Sequence, residues 1–326
     1  MRLDGTREQA VARAARHLAE GHLVAFPTET VYGLGARADD DAAVTHIYTA
    51  KGRPTTHPLI VHVGGEDAVD RFARPIGPLA RRLMGAFWPG PLTLIVPRRP
   101  GAAGAAAAGQ NSIGLRCPSH PVAQALLAQA QRLGVQGIAA PSANRFGRVS
   151  PTRADHVADE FGSDMWVLDG GSCDVGIEST IVDCTREQPV WLRPGMLTRS
   201  AVESAAGVPV LDADQHAPRA PGTHASHYAP SATLRLMSLP ALHTALQTLG
   251  DLPVKLAVYS RGALPGTAGR VSHRRMPSHP GQAAHELFSV LRDLDAEGAQ
   301  LIWVEEPPGD PEWDGVRDRL QRAAAP

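Results

Sequence analysis

The sequence is short of cysteine, of aromatic residues, of net charge and of long apolar runs, and each shortage narrows what the chain does. Three cysteines in 326 residues, Cys117, Cys173 and Cys184, are too sparse for a disulfide framework. None forms C-x-x-C, which argues against a zinc ribbon and for a reducing compartment. No window reaches 18 apolar residues, so no membrane span is expected. The charged opening MRLDGTREQAVARAARHLAEG lacks the apolar core of a signal peptide, and a cytoplasmic location is expected. Lys and Arg (32) balance Asp and Glu (33), so nothing pulls the whole molecule toward nucleic acid or membrane. With aromatics at 5%, basic segments have no stacking residues interleaved, which disfavours RNA binding as the main task. G-x-x-x-x-G-K-[ST] and G-x-S-x-G are both missing, which removes the P-loop and the serine nucleophile elbow. No cysteine has an evident histidine partner, so covalent catalysis has no candidate.

What is present is enough chain for two domains and a proper core. Alternating apolar signals predict a helix capped by Thr6 and closing near Gly21, then the strand LVAF. Helices follow over about 41–50, 78–87 and 121–134, with strands over about 58–63, 92–97 and 113–118. GIAA, MWVLD, TIVDC and PVWLRPG read as further strands, and RRPGAAGAAAAGQNS as a low-complexity, mobile loop. The expected class is α/β: a twisted mixed sheet with helices over 1–211, a linker over 212–231 rich in Pro, His and Ala, and a smaller open α/β domain over 232–326.

The stretch FPTETVYGLG poses the functional question. GLGARA fits a dinucleotide-binding turn, but Pro27 to Tyr32 separate it from the preceding strand and no acidic residue closes a second strand about 20 residues on, so the fingerprint fails on context. Thr28 and Thr30 at a strand end either orient a small polar ligand or cap a helix, and on this stretch alone capping is favoured. KGRPTTHPLIVHV adds Lys51, Arg53, His57 and His62, cations suited to phosphate and carboxylate. APSANRFGRVSPT supplies Ser142, Asn144 and Ser150, and DGGSCDVGIEST supplies Ser179. Arg116 and Arg193 are embedded in apolar strands, where a guanidinium needs an anion. Singly, each is explained by an internal salt bridge; together, they point to an anion-binding cleft. His224 and His227 form H-x-x-H without a third ligand nearby, so no metal held by the protein itself is expected.

Seven segments stand in one order: FPTETVYGLGARA, KGRPTTHPLIVHV, FWPGPLTLIVP, SIGLRCPSHPVA, GIAAPSANRFGRVSPTRADHV, DGGSCDVGIESTIVD and LRPGMLT. In them the chain resembles the YrdC-type threonylcarbamoyl-AMP synthases. APGTHASHYAP and the tail are similar to the two-domain form, with a YrdC-like fold and a Rossmann-like C-terminal domain. The resemblance implies a nucleotidyltransferase that makes L-threonylcarbamoyladenylate from L-threonine, bicarbonate or CO2 and ATP, with Mg2+ on the phosphates. It further implies a downstream tRNA threonylcarbamoyl transferase and a weak tRNA contact. Thr30, His62, Arg116, Ala140 and Ser179 would hold threonine. Arg53, His57, Ser112, Ser142, Ser150, Arg193, His227 and Tyr228 would contact ATP, and Lys51 would join Arg53 beside the phosphates, with His227 and Tyr228 as a lid. Where the family usually has Asn, this chain has His57; its Ala-Gly loop before Ser112 is longer; and its linker puts lid contacts through residues 223–226 in doubt. The alternatives are a non-catalytic RNA-binding module of this fold and a carbamoyl-adenylate-forming maturation factor, whose paired C-x-x-C segments this chain lacks.

Overall fold

The structure is a computed structural model and describes residues 1–222, 227–248, 254–264 and 271–325. In chain order the first domain comprises β1 (Arg2–Asp4), α1 (Glu8–Ala19), β2 (Val24–Phe26), β3 (Gly33–Arg37), α2 (Asp41–Lys51), β4 (Ile60–His62), α3 (Pro78–Phe87), β5 (Leu92–Pro97), β6 (Ser112–Arg116), α4 (Pro121–Arg132), β7 (Ile138–Ala139), α5 (Ala154–Phe161), β8 (Trp166–Asp169), β9 (Thr180–Asp183), β10 (Val190–Arg193), α6 (Arg199–Ala206) and β11 (Leu211–Asp212). These strands form one mixed sheet in the order β1-β8-β2-β3-β7-β4-β6-β5-β9-β10-β11.

Side-chain alternation along the strands divides the core. Val24 and Phe26 pack with Ala14, Leu18, Leu126 and Leu127 of α1 and α4. Ala25 faces the opposite way, into the larger core built with Val44 and Ile47 of α2 and Leu83 and Met84 of α3. The GLGARA segment is the strand β3, antiparallel to β2, which disposes of the dinucleotide turn. Its glycines serve close packing: a Cβ at Gly35 would stand 2.8 Å from Ile138 Cγ2 and from the Phe26 ring.

Several expectations need correction. Thr6 does not cap α1. Its hydroxyl donates to Asp4 Oδ1 at 2.6 Å, and Arg7 occupies the N-cap without a side-chain bond. PTET caps no helix either, because β3 follows it; Thr28 instead closes a turn, its Oγ1 donating to Val31 O at 2.7 Å. The Ala-Gly loop is packed. Ala106 and Ala107 are buried, Tyr48 donates to Ala105 O at 2.9 Å, and Leu59 N donates to Ala106 O at 2.7 Å. A run of small residues lets this backbone lie directly on α2. At the expected 211/212 boundary stands the short strand β11, which pairs with β10.

The C-terminal domain holds β12 (Thr233–Met237), α7 (Leu239–Thr248), β13 (Leu256–Ser260), β14 (Ser272–Arg275), α8 (Pro280–Ala296), β15 (Leu301–Glu305) and α9 (Asp314–Ala324). Its described strands form a parallel sheet in the order β12-β15-β13-β14. Alternation again separates two layers. Leu256 and Val258 pack under Leu242 of α7, while Ala257 and Tyr259 join Leu287 and Phe288 of α8 and Val316 and Leu320 of α9. That second cluster also takes in Val31, Val149 and Ile177 of the first domain. The two domains therefore share a core on the side where the PTET turn lies.

Docking depends on one glycine. A Cβ at Gly315 of α9 would stand 2.5 Å from the carbonyl oxygen of Gly195. Gly315→Ala is expected to lower the urea midpoint by the equivalent of about 2 kcal/mol, since backbone on both sides leaves little room to relax. An unchanged midpoint would show that the contact carries no such constraint.

Candidate active site

The central strands bring the singled-out residues together. β4 and β6 run parallel with His62 level with Arg116, and both stand at the carboxyl ends of their strands. Ligands in open α/β sheets collect at such ends. α2 ends at Gly52 in the left-handed region (φ 62°), which turns the chain so that Lys51 and Arg53 point toward the same end of the sheet. Ala140 and Ser142 follow β7, Ser179 precedes β9, and Arg193 ends β10.

One cavity results, lined among others by Thr30, Arg53, His62, Arg116, Ala140, Ser142, Ser179, Arg193, His227 and Tyr228. The linker residues His227 and Tyr228 stand in its wall. Its volume is about 50 Å³, small against the roughly 300–1,000 Å³ of ordinary ligand pockets. Residues 223–226, including His224, lie outside the described residues, as do any lid contacts expected of them.

The polar walls are fixed by hydrogen bonds. Thr28 Oγ1 and Thr30 Oγ1 are 2.8 Å apart. Ser179 Oγ is 2.7 Å from Thr93 Oγ1, and Arg193 Nη2 and Nε donate to Ser179 O at 2.9 and 3.1 Å. Arg193 Nη1 also donates to Pro221 O at 2.9 Å and so ties β10 to the linker. Arg53 Nη2 donates to Pro58 O at 3.0 Å, with its guanidinium 5.8 Å from the Phe146 ring. Arg116 Nη2 forms an ion pair with Glu29 Oε1 at 2.8 Å, both buried, without the geometry of a hydrogen bond, while Glu29 Oε2 accepts from Ser119 N at 3.1 Å.

Four of the expected contact residues stand outside the cavity wall. Lys51 lies behind it, buried, with Nζ donating to the carbonyls of Ser142 (2.6 Å) and Asn144. The lysine holds the SAN loop in place by these bonds. Ser150 acts through a neighbour, its hydroxyl donating to Glu178 Oε1. His57 sits beside Phe146, with ring centroids 5.3 Å apart. Ser112 occupies the opposite end of β6 from Arg116, in a separate depression with Gln110, Thr185 and Pro218. A strand rises about 3.3 Å per residue, which leaves Ser112 and Arg116 roughly 13 Å apart.

Charge in the site is unbalanced toward cations. Burial pushes Arg53 down to about 10 and lowers Arg193; burial and then Arg53 push Lys51 well below the usual lysine range. Among the described residues no carboxylate forms an ion pair with any of the three. A polyphosphate would supply the missing charge. Burial also pushes His62 and His227 down to about 3 from 6.5, so both rings are neutral at pH 7. Because the unfolded histidines take up protons first, this stability is complete above about pH 6.5 and is lost as pH falls toward 3. The loss reaches about 1.4 kcal/mol per pH unit for each ring. Urea midpoints at pH 7.5 and 5 should differ less in His62→Gln than in the unsubstituted chain; an equal difference would remove His62 from this account.

A family model described as telomere recombination, which spans the Sua5, YciO and YrdC proteins, matches residues 16–195. A second, described as the C-terminal domain of threonylcarbamoyl-AMP synthase, matches 193–325. The chain belongs to the Sua5/YrdC family. Among its relatives, a threonylcarbamoyl-AMP synthase of Bacillus subtilis is 37% identical, covering 98% of this chain and 94% of that protein. The crystal structure of Pyrococcus abyssi Sua5 complexed with L-threonine superposes with a TM-score of 0.88 at 34% identity, covering 98% and 95% of the two chains. A shorter relative from Mycobacterium tuberculosis, named a putative threonylcarbamoyl-AMP synthase, is 36% identical over 62% of this chain and 91% of its own length. The two-domain Sua5 architecture is thus that of this chain.

Sequence reasoning missed Glu178 and Arg319. Glu178 lines the cavity beside Ser179. Arg319 is fully buried on α9. The signal for Arg319 was available: Val316, Leu320 and Ala323 make an apolar helix face, and Arg319 falls on it. No helix among the described residues is long and apolar enough to cross a membrane.

Proposed function

We propose that this member of the family joins L-threonine, bicarbonate or CO2 and ATP into L-threonylcarbamoyladenylate, releasing pyrophosphate. The threonine amine attacks the carbon of CO2 and gives up a proton, leaving a carbamate. A carbamate oxygen then attacks the α-phosphorus, and the bond to the pyrophosphate oxygen breaks. Protein nucleophiles take no part in this sequence, which suits a cavity built of guanidinium, hydroxyl and backbone groups. Catalysis there is positioning and charge stabilisation.

The observation that carries the reading is the convergence of Arg53, Arg116 and Arg193 with Thr30 and Ser179 on one cavity. Arg116, His62, Thr30, Ala140 and Ser179 form the end suited to an amino acid, and Arg53, Ser142 and Arg193 the end suited to phosphates. Ser112, in the far depression, stands apart from this cavity. Both carboxylates near the cavity are engaged, Glu29 by Arg116 and Glu178 by Arg319. Magnesium therefore fits as an ion carried by the nucleotide's phosphate oxygens and water, neutralising charge on the leaving pyrophosphate. The product is destined for a separate tRNA threonylcarbamoyl transferase acting beside the anticodon of tRNAs that read ANN codons. A cytoplasmic setting and a weak tRNA contact belong to the same reading.

Pyrophosphate release from ATP should require both L-threonine and bicarbonate. Release without either co-substrate, or salt-sensitive RNA binding without turnover, would overturn the assignment.

A further inference from the structure

We infer that Arg319, carried by the C-terminal domain, is a positioning residue for the adenylate-forming site, acting through Glu178 and Tyr228. Its side chain is wholly buried although α9 belongs to the other domain. One guanidinium reaches three segments of the cavity wall. Nε donates to Glu178 Oε2 at 2.8 Å and Nη2 to Glu178 O at 3.1 Å. Nη1 donates to Pro194 O at 2.8 Å, directly after Arg193. The guanidinium carbon lies over the Tyr228 ring, 5.3 Å from its centroid. Asp318 Oδ2 accepts a further bond from Nη1 at 2.7 Å and keeps the group oriented.

Glu178 is the element this arrangement controls. Its other carboxylate oxygen accepts from Ser150, and the next residue, Ser179, is held by Arg193. Burial raises the Glu178 carboxyl, and Arg319 followed by Arg193 more than offsets this, so it is held below the ordinary range as a carboxylate. A buried carboxylate stripped of its partner is costly and relaxes by moving or taking up a proton, and either response releases Ser150 and the wall beside Arg193. The partner of this carboxylate comes from α9 of the tail domain. The C-terminal domain is thereby part of the site's geometry as well as the carrier of the linker.

The inference rests on the proposed reaction, and the test keeps the two apart. Unsubstituted chain releasing pyrophosphate with threonine and bicarbonate secures the reaction first. Arg319→Met, which fills the space without charge, should then lower kcat about tenfold and raise the KM for ATP, with the KM for threonine changing less than about threefold. Arg319→Lys should recover part of the loss. Pairing Arg319→Met with Glu178→Gln should recover more, since the stranded charge is gone. Binding of a non-hydrolysable ATP analogue, followed by calorimetry, should weaken in Arg319→Met and recover in the double variant. If Arg319→Met keeps unsubstituted kcat and ATP affinity while folded, the inference fails. It fails equally if adding Glu178→Gln makes the loss larger, or if both KM values shift alike with thermal unfolding, as a merely structural role would give.

Discussion

Arg116→Ala is expected to raise the threonine concentration for half-maximal pyrophosphate release by roughly 100-fold, with the affinity for an ATP analogue held within about threefold. Truncating one partner of a buried, hydrogen-bonded charge pair costs about 2–5 kcal/mol, and each 1.4 kcal/mol is a factor of ten. Arg116 is 4% exposed at the end of β6, level with His62, and two of its contacts are to the protein itself: Nη2 to Glu29 at 2.8 Å and Nε to Gly90 O at 3.3 Å. A guanidinium has five N–H donors, so a carboxylate can be taken on the remaining edge without breaking the Glu29 pair. Glu29 stands beside the fork as its ion-pair partner. The same geometry complicates the alanine variant, because it strands a buried carboxylate. Arg116→Ala combined with Glu29→Gln removes that penalty, and the threonine defect should persist in it. Arg116→Lys keeps the charge and loses the fork, so it should fall between the two. If ATP binding collapses instead and the threonine requirement is unchanged, Arg116 belongs to the nucleotide end.

The parts of the fold that were legible in the sequence are local. The helix over 78–87 and the strand over 92–97 coincide with α3 and β5, since apolar spacing and a proline at each boundary set both. The cleft could be read from cations and hydroxyls placed at strand ends. What escaped the reading depends on tertiary context. β14, SHRR, is fully exposed and polar, an edge strand formed because β13 offers it a partner. The Ala-Gly run looked mobile for want of side chains, and is ordered because small residues fit against Tyr48 and Leu59. The Glu29–Arg116 pair joins residues 87 positions apart and the Glu178–Arg319 pair residues 141 apart. Charge alone names no partner at such distances. Arg116 has an internal ion-pair partner in Glu29 and also lines the cavity, so the salt-bridge explanation does not exclude the ligand explanation.

Tyr228→Gly is expected to shorten the lifetime of the enzyme-held adenylate on the order of tenfold, measured by chromatography with no transferase present. Tyr228 is 1% exposed and its backbone lies in the left-handed region at φ 64°, where tyrosine is strained and glycine is not. The substitution therefore preserves the path of the linker while removing the ring. That ring stacks on Phe288 at 5.5 Å, meets His227 edge-on at 4.1 Å and lies against Arg319, so it plugs the cavity between the two domains. A point change is the cleaner test than truncation after Ala217. Truncation would also uncover Val31, Val149 and Ile177 and leave Glu178 without Arg319. His227 and Tyr228 line the cavity from the linker, and a lid role for them predicts that they lift for ligand entry and return to exclude water. Tyr228→Phe keeps the stacking and should hold the adenylate as long as the unsubstituted chain. An adenylate lifetime in Tyr228→Gly equal to that in Tyr228→Phe would mean that the ring seals nothing and that water is excluded by the first domain alone.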